Sequence, residues 1–373
     1  MLDYFYNMSK NYFMNNNVLI LTLKNSLLNL PTPSSISYFW NMGFLLGMTL
    51  MCQIITGFFL SVNFVSETNI SFYSVIHIMR DVDYGWFMRY IHMNGASLFF
   101  IIMYLHFFRG LYYNSFLKLK YVWLTGIIIL LLSMMTAFMG YVLPWGQMSF
   151  WGATVITSML SAIPYLGDSL TNWLWGNFSV SQSTLNRFLS LHFLLPFIIL
   201  LFVIFHLIFL HEHGSSNPLG LSSDYDKLKF FPFFFIKDFL SFFFVMFFFF
   251  IILGVFPNML GDVENYNEAM YMVTPTHIQP EWYFLYAYAI LRSVPSKIGG
   301  VILMVFSILI FIFLIFKKNS FNKKFFPLKK FMFWIFVNNV FLLTWIGSNP
   351  VEPPYVTMGM FFTFFYFLTV IML

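Results

Sequence analysis

The stretches WFMRYIHMNGASLFFIIMYLHFFRGLY at 86–112 and LNRFLSLHFLLPFIILLFVIFHLIFL at 185–210 decide how this chain is read. Each exceeds the roughly 20 apolar residues that span a hydrocarbon core. Each also carries two histidines, His92 and His106 in the first and His192 and His206 in the second, 14 positions apart in both. At 3.6 residues per turn, that separation falls within about 40° of whole turns. Both imidazoles of a stretch therefore share one helix face, roughly 21 Å apart.

The rest of the chain agrees with a lipid environment. Of 373 residues, 60% are hydrophobic and 9% charged, against about 25% charged in a soluble domain; mean hydropathy is +0.77. Backbone groups in lipid must be paired within their own segment, so the spans are helices. Apolar segments near 38–62, 86–112, 121–143, 185–210, 239–256, 298–316, 331–346 and 356–373 give eight crossings, separated by turn signals such as Pro144, Asn217–Pro218, Pro257 and Pro350–Pro354. The expected fold is an all-α integral membrane protein with eight transmembrane helices. Its first four, which hold most of the Gly and His, form a functional bundle in 1–217. A Phe-rich supporting half in 218–373 contributes one loop.

Charge tests this layout. With both termini on one side, that side holds Lys10, Lys24, Arg109, Lys118, Lys120, Lys227, Lys229, Lys237, Lys317, Lys318, Lys323, Lys324, Lys329 and Lys330, which is 14 of the 19 basic residues. Arg80, Arg89, Arg187, Arg292 and Lys297 remain opposite. The positive-inside rule makes the first side, N, the cytoplasm-equivalent and the second, P, its opposite. The basic residues are not interleaved with aromatics in a nucleic-acid pattern, so no nucleic-acid partner is expected. The N-terminal MLDYFYNMSKNYFMNNN lacks the layout of a secretory signal. The single cysteine, Cys52, excludes an internal disulfide, a thiolate iron–sulfur cluster and a CxxCH haem attachment.

The two histidine-bearing spans lie two crossings apart and run parallel. His92 then lies at the depth of His192, and His106 at that of His206. A single span histidine is commonly satisfied by a polar neighbour, but four at matched spacing point to function. Zinc wants four ligands at one point, whereas these come two by two. Two trans imidazoles on one iron describe a six-coordinate haem that passes electrons, so two b-type haems are expected. Gly43 and Gly57 in the first span and Gly126 and Gly140 in the third repeat the 14-step spacing, which would let a flat macrocycle approach the backbone; close helix packing is the plainer reading of such glycines. Arg89, Arg109 and Arg187 stand one turn outward of histidines, where propionates would need cations or where arginines simply snorkel.

The motifs GYVLPWGQMSFWGATVIT at 140–157, PEWYFLYAYAILRSVPSK at 280–297, NGASLFF at 94–100 and TWIG at 344–347 resemble the mitochondrial cytochrome b family, the core of quinol–cytochrome c reductase (the bc1 complex, respiratory complex III). The similarity runs over nearly the whole chain in one register. It implies a low-potential haem on His92 and His192 near side P, and a high-potential haem on His106 and His206 near side N. It implies ubiquinol oxidation on side P, one electron going to a Rieske iron–sulfur protein and one through both haems to quinone on side N, with proton translocation. A c-type cytochrome, accessory subunits, lipids and a homodimeric complex are implied as partners, and the mitochondrial inner membrane as location, with both termini in the matrix.

For the quinol-oxidising site the resemblance implies Glu281, Tyr283, Phe284, Tyr288, Tyr141 and Gly152. Physical reasoning supports Glu281 independently, since a carboxylate among aromatic rings should have a raised pKa suited to taking a proton. Glu281 is expected to face the connection bearing Pro144, Trp145 and Trp151. For the quinone-reducing site the resemblance implies His211, Ser215, Lys237, Asp238, Trp40 and Asn41. His213 and His277 read as surface histidines. Departures from the family pattern are Phe44 in place of a common Ser, Phe231-Pro232 in place of His-Pro, and Ser348-Asn349 in place of Gly-Gln. A proton-coupled carrier with histidine relays and a plain two-haem conduit without quinone chemistry are the rival function classes.

Overall fold

The structure, a computed structural model, describes residues 17, 21–22, 24–317 and 327–373. Lys10, Lys318, Lys323, Lys324 and most of the N-terminal segment lie outside the described residues, so the sidedness count is not tested at those positions.

Eight helices among the described residues are long and apolar enough to cross a membrane. They are α1 (Met42–Asn63), extended backward by a 3₁₀ turn from Tyr38, then α3 (Gly85–Tyr112), α4 (Lys120–Val142), α7 (Gln182–His213), α8 (Phe233–Val255), α10 (Lys297–Leu309, continued as 3₁₀ helix to Phe316), α11 (Pro327–Gly347) and α12 (Tyr355–Met372). Shorter helices fill the connections: α2 (Ser71–Arg80), α5 (Gln147–Thr157), α6 (Gly167–Trp175) and α9 (Leu285–Arg292). Strands β1 (Pro31–Pro33) and β2 (Lys227–Lys229) pair antiparallel, tying the segment before α1 to the connection before α8.

Most boundaries fall within a few residues of the apolar segments. The exception is α8, which begins at Phe233 rather than 239. Lys237 and Asp238 look like loop residues by charge, yet both lie in its first turns, and Asp238 is only 7% exposed. Pro196 lies inside α7 without ending it. Such prolines are tolerated in membrane helices because neighbouring groups satisfy the freed carbonyl.

Packing is organised by pairs. α3 lies along α1, and α7 along α4, while α9 packs with α10, α11 and α12. The largest core joins both halves, with Leu111, Trp123 and Ile127 from the first half against Ile290, Phe336 and Tyr366 from the second. Trp123 Nε1 donates to the Phe311 carbonyl at 2.9 Å across that seam, so the polar tip of the buried indole is satisfied. α8 packs on α1 and α3.

On the P end, the connection after α4 is docked on the one before α9. Gln147 N–H donates to the Asn267 carbonyl at 2.9 Å, and Ser149 N–H to Asn265 Oδ1 at 2.9 Å. Gly146 permits this approach, since a Cβ there would run into the Asn265 backbone.

Candidate functional site

The parallel course of α3 and α7 brings the histidines face to face. His92 and His192 have ring centroids 6.1 Å apart, and His106 and His206 6.3 Å apart. A metal held trans between two ring nitrogens, with bonds of about 2 Å each, needs ring centres about 6 Å apart. Among the described residues no three His, Cys, Asp or Glu side chains converge on one point. The donors therefore suit linear pairs and not a tetrahedral centre.

Each imidazole faces one glycine of a neighbouring helix. A Cβ on Gly57 would stand 2.9 Å from His92 Cε1, and one on Gly140 would collide with the His192 ring. At the other end, Gly43 faces His106 with a Cβ distance of 3.5 Å, and Gly126 faces His206 with 3.4 Å. Gly57 and Gly140 thus clear space that a side chain would take from a histidine, as a flat macrocycle between α1, α3, α4 and α7 would require, while at Gly43 and Gly126 a Cβ would sit at ordinary contact distance.

Hydrogen bonding sets the tautomers. His192 Nδ1 lies 2.8 Å from the Thr136 carbonyl, which only accepts, so Nδ1 carries the proton and Nε2 is bare. Thr56 Oγ1 gives its proton to the Cys52 carbonyl at 2.7 Å and accepts from His92 Nδ1 at 3.0 Å. Thr125 does the same between the Tyr121 carbonyl and His206 Nδ1. Three imidazoles consequently present Nε2 as a ligand, held by the kind of outer partner that orients metal-binding histidines. His106 differs: Arg109 Nη2 lies 3.2 Å from its Nδ1, and a guanidinium only donates. Ligation through His106 Nε2 requires Arg109 to leave that nitrogen.

The arginines divide. Arg89 lines the cavity beside His92 and faces the Tyr266 ring at 5.6 Å. Arg109 is buried over Trp40 at 5.2 Å, with Nε unpaired. Arg187 departs from expectation. Its Nη1 donates to the carbonyls of Trp173 and, at 3.0 Å, Leu174, so it caps the end of α6 and not a propionate position.

A cavity of about 290 Å³ runs from His92 and His192 to Glu281, with Tyr141, Tyr283 and Pro144 in its wall. Tyr283 stacks on Phe100 at 4.2 Å and receives the Tyr104 hydroxyl on its carbonyl at 2.5 Å, which fixes the loop at that point. Burial raises the Glu281 carboxyl to about 7; the neighbouring Asp262 adds to the rise, and a hydrogen bond from Tyr141 opposes it. A carboxylate poised there exchanges protons readily near neutrality.

Other expected residues lie apart from this wall. Phe284 packs on Tyr283, at 4.6 Å between ring centroids. Tyr288 donates to the Ile278 carbonyl at 3.3 Å. Gly152 is buried, and a Cβ added there would meet nothing within 4 Å. Trp145 is fully buried and donates to Tyr271 Oη at 3.1 Å, and Trp151 has a buried, unpaired Nε1; neither faces Glu281 across the cavity.

At the N end, the start of α1 meets the start of α8. Asn41 Nδ2 donates to the Lys237 carbonyl at 2.9 Å and to Ser241 Oγ at 2.7 Å, while Lys237 Nζ donates to the Ile36 carbonyl at 2.7 Å. Trp40 packs on Tyr113 at 5.0 Å and keeps a buried, unpaired Nε1. Phe44 packs on Phe239 at 5.3 Å. His211 and Ser215 are half-buried at the end of α7, and no hydrogen bond joins His211 to Asp238. Trp40, Asn41, Lys237 and Asp238 are thus assembled where α1 and α8 begin, while no contact among the described residues brings His211 or Ser215, at the end of α7, into that group.

Several contributors escaped the sequence reading. Thr56 and Thr125 each precede a glycine of the repeated pair, so the Thr-Gly dipeptides at 56–57 and 125–126 were an available signal. Thr136, acting through its carbonyl, and Asp262, acting through the docked connection, left none. His277 is corrected: it is half-buried, and its Nε2 is buried without a partner.

Comparison with known proteins agrees with this geometry. The family profile described as Cytochrome b/b6/petB matches residues 27–214, and the one described as Cytochrome b(C-terminal)/b6/petD matches residues 268–367. A solved structure described as "Hyperthermophilic respiratory Complex III" is similar over 97% of this chain and 96% of its own, with TM-score 0.90 and 29% identity.

Proposed function

Because this chain belongs to the cytochrome b/b6 family, we propose that it oxidises ubiquinol at its P end and reduces quinone at its N end, coupled to proton translocation. At the coarser level it is a haem-carrying electron-transfer subunit of a bc-type respiratory complex and a multi-pass membrane protein. In the finer reading it works in the mitochondrial inner membrane with both termini in the matrix. Its partners are a Rieske iron–sulfur protein, a c-type cytochrome and accessory subunits in a homodimeric complex. Residues 1–217 form the di-haem unit, and residues 218–373 supply the loop carrying Glu281.

His92 with His192 and His106 with His206 would hold two b-type haems, with Gly43, Gly57, Gly126 and Gly140 leaving room for them. Bis-imidazole haem has no open position and supplies one-electron transfer when bound. The chain's own groups then handle protons and position. Tyr283, stacked on Phe100, walls the cavity and keeps water scarce. Glu281 accepts a quinol proton, with Tyr141 at its carboxyl. At the other end, Asp238 and His211 would deliver protons to reduced quinone, with Lys237 assisting.

The observation carrying this reading is that His92, His192 and Glu281 border one cavity. A quinol at the Glu281 end of this cavity would have the haem held at the histidine end as electron acceptor and Glu281 as proton acceptor. The test is a redox-titrated visible spectrum of the intact complex, combined with quinol-driven b-haem reduction. Two low-spin b waves, with reduction slowed in Glu281→Gln, are expected. Folded complex without b-haem would overturn the haem reading; haem reduction indifferent to Glu281→Gln would leave the plain conduit.

A further inference from the structure

α9 carries no charge except at its last residue, Arg292. The Arg292 guanidinium reaches across to the end of α11, where Nη2 donates to the carbonyls of Ile346 at 2.8 Å and Gly347 at 3.1 Å, and Nη1 to that of Asn349 at 3.1 Å. The last carbonyls of a helix have no partner within it, and a cation there is favoured by the helix dipole. One side chain thus donates to three acceptors at the end of a membrane-spanning helix, sharing the Ile346 carbonyl with the Asn349 N–H. The remaining donor, Nε, is buried without an acceptor. Stapling alone does not explain why this cation also lies over an aromatic ring.

That ring belongs to Tyr288, one turn earlier on α9, whose centroid lies 4.5 Å from the guanidinium carbon. The Tyr288 hydroxyl donates to the Ile278 carbonyl at 3.3 Å, just upstream of Glu281. Downstream, Phe284 N–H donates to the Glu281 carbonyl at 2.9 Å. The backbone around Glu281 is therefore held on both sides, and its upstream hold depends on where Tyr288 stands. The front of α9 is fixed separately, since a Cβ on Gly347 would collide with the Leu285 carbonyl.

We propose that Arg292 is a positioning residue for Glu281: anchored on the end of α11, it holds the Tyr288 ring, and Tyr288 holds the 278–281 segment against the cavity. Lysine cannot replace it fully, because an ammonium lacks the planar fork that serves three carbonyls while lying on a ring. This inference rests on the proposed role of Glu281 as proton acceptor.

The test uses the intact complex carrying Arg292→Gln, Arg292→Lys or Tyr288→Phe, with b-haem content as the control for assembly. The readout is the pH dependence of kcat/KM for quinol oxidation. Loosening this segment admits water to Glu281, so the acid limb should move about one pH unit lower in Arg292→Gln, and part of the way in Arg292→Lys. An unmoved limb with less assembled complex would reduce Arg292 to a staple for α11 and overturn the proposal. If Arg292→Gln does not assemble, Tyr288→Phe, which keeps the ring under the guanidinium and deletes the hydroxyl's bonds to Ile278 and Arg292, decides by the same two outcomes. If the unmodified complex shows no acid limb that Glu281→Gln removes, the role of Glu281 itself fails and this inference falls with it.

Discussion

His92 on α3 and His192 on α7 hold their imidazole planes 86° apart with centroids separated by 6.1 Å. Because outer hydrogen bonds at Nδ1 orient both rings, the pair fits the role proposed for it, two ligands on one metal. Replacing His192 by Leu should remove about half of the b-haem absorbance, since each haem needs both of its imidazoles. The pyridine haemochrome of the purified complex measures this; unchanged haem content would break the pairing.

Gly140 makes the sharpest steric prediction. A side chain there enters the space of the His192 ring, so Gly140→Val should deplete the P-end haem while sparing the other. Redox titration should show loss of the lower-potential wave only. Retention of both waves would mean that the glycine serves helix packing alone.

Thr56 accepts from His92 Nδ1 and can be separated from folding. Thr56→Val keeps the shape and removes the acceptor. Outer-shell losses of this kind cost roughly 10–100-fold in metal affinity or activity, so weaker haem retention and a shifted midpoint potential are expected, with the low-spin spectrum kept. A variant indistinguishable in both would show that the hydroxyl has no influence on the ligand.

Glu281 carries the pH prediction. Its carboxyl is raised to about 7, and only the ionised form accepts a proton. The fraction able to act therefore rises as pH increases through about 7 and falls below it. Quinol oxidation should show an acid limb there, and Glu281→Gln should lose the limb along with most of the rate. A limb that survives the substitution belongs to another group.

At the N end, Asp238 is buried in the first turns of α8. Asp238→Asn should slow b-haem oxidation by quinone at that end by about tenfold or more, within the range of general acid–base contributions. The rate of b-haem reduction by quinol at the P end should hold. Equal loss at both ends would indicate a structural defect.

Eight spans and the pairing of His92 with His192 and His106 with His206 were legible because helix pitch and bilayer thickness are fixed quantities. Fourteen steps on a helix leave no freedom in depth, and alternating crossings leave none in direction. The start of α8 was not legible, because Lys237 reads as loop until its Nζ is seen on the Ile36 carbonyl. Nor was the direction of Arg187, whose long side chain follows whichever acceptors the neighbouring α6 leaves open.

By itself, then, the sequence determined the membrane fold, the depth of each histidine and the glycines opposite them, all consequences of local helical geometry. Tertiary structure alone decided which nitrogen each imidazole presents, where the arginines point, and that Glu281 shares a cavity with His92 and His192. Those depend on groups far apart in the chain, such as Thr56 beside His92 and Asp262 near Glu281, and only packing sets the distance between them.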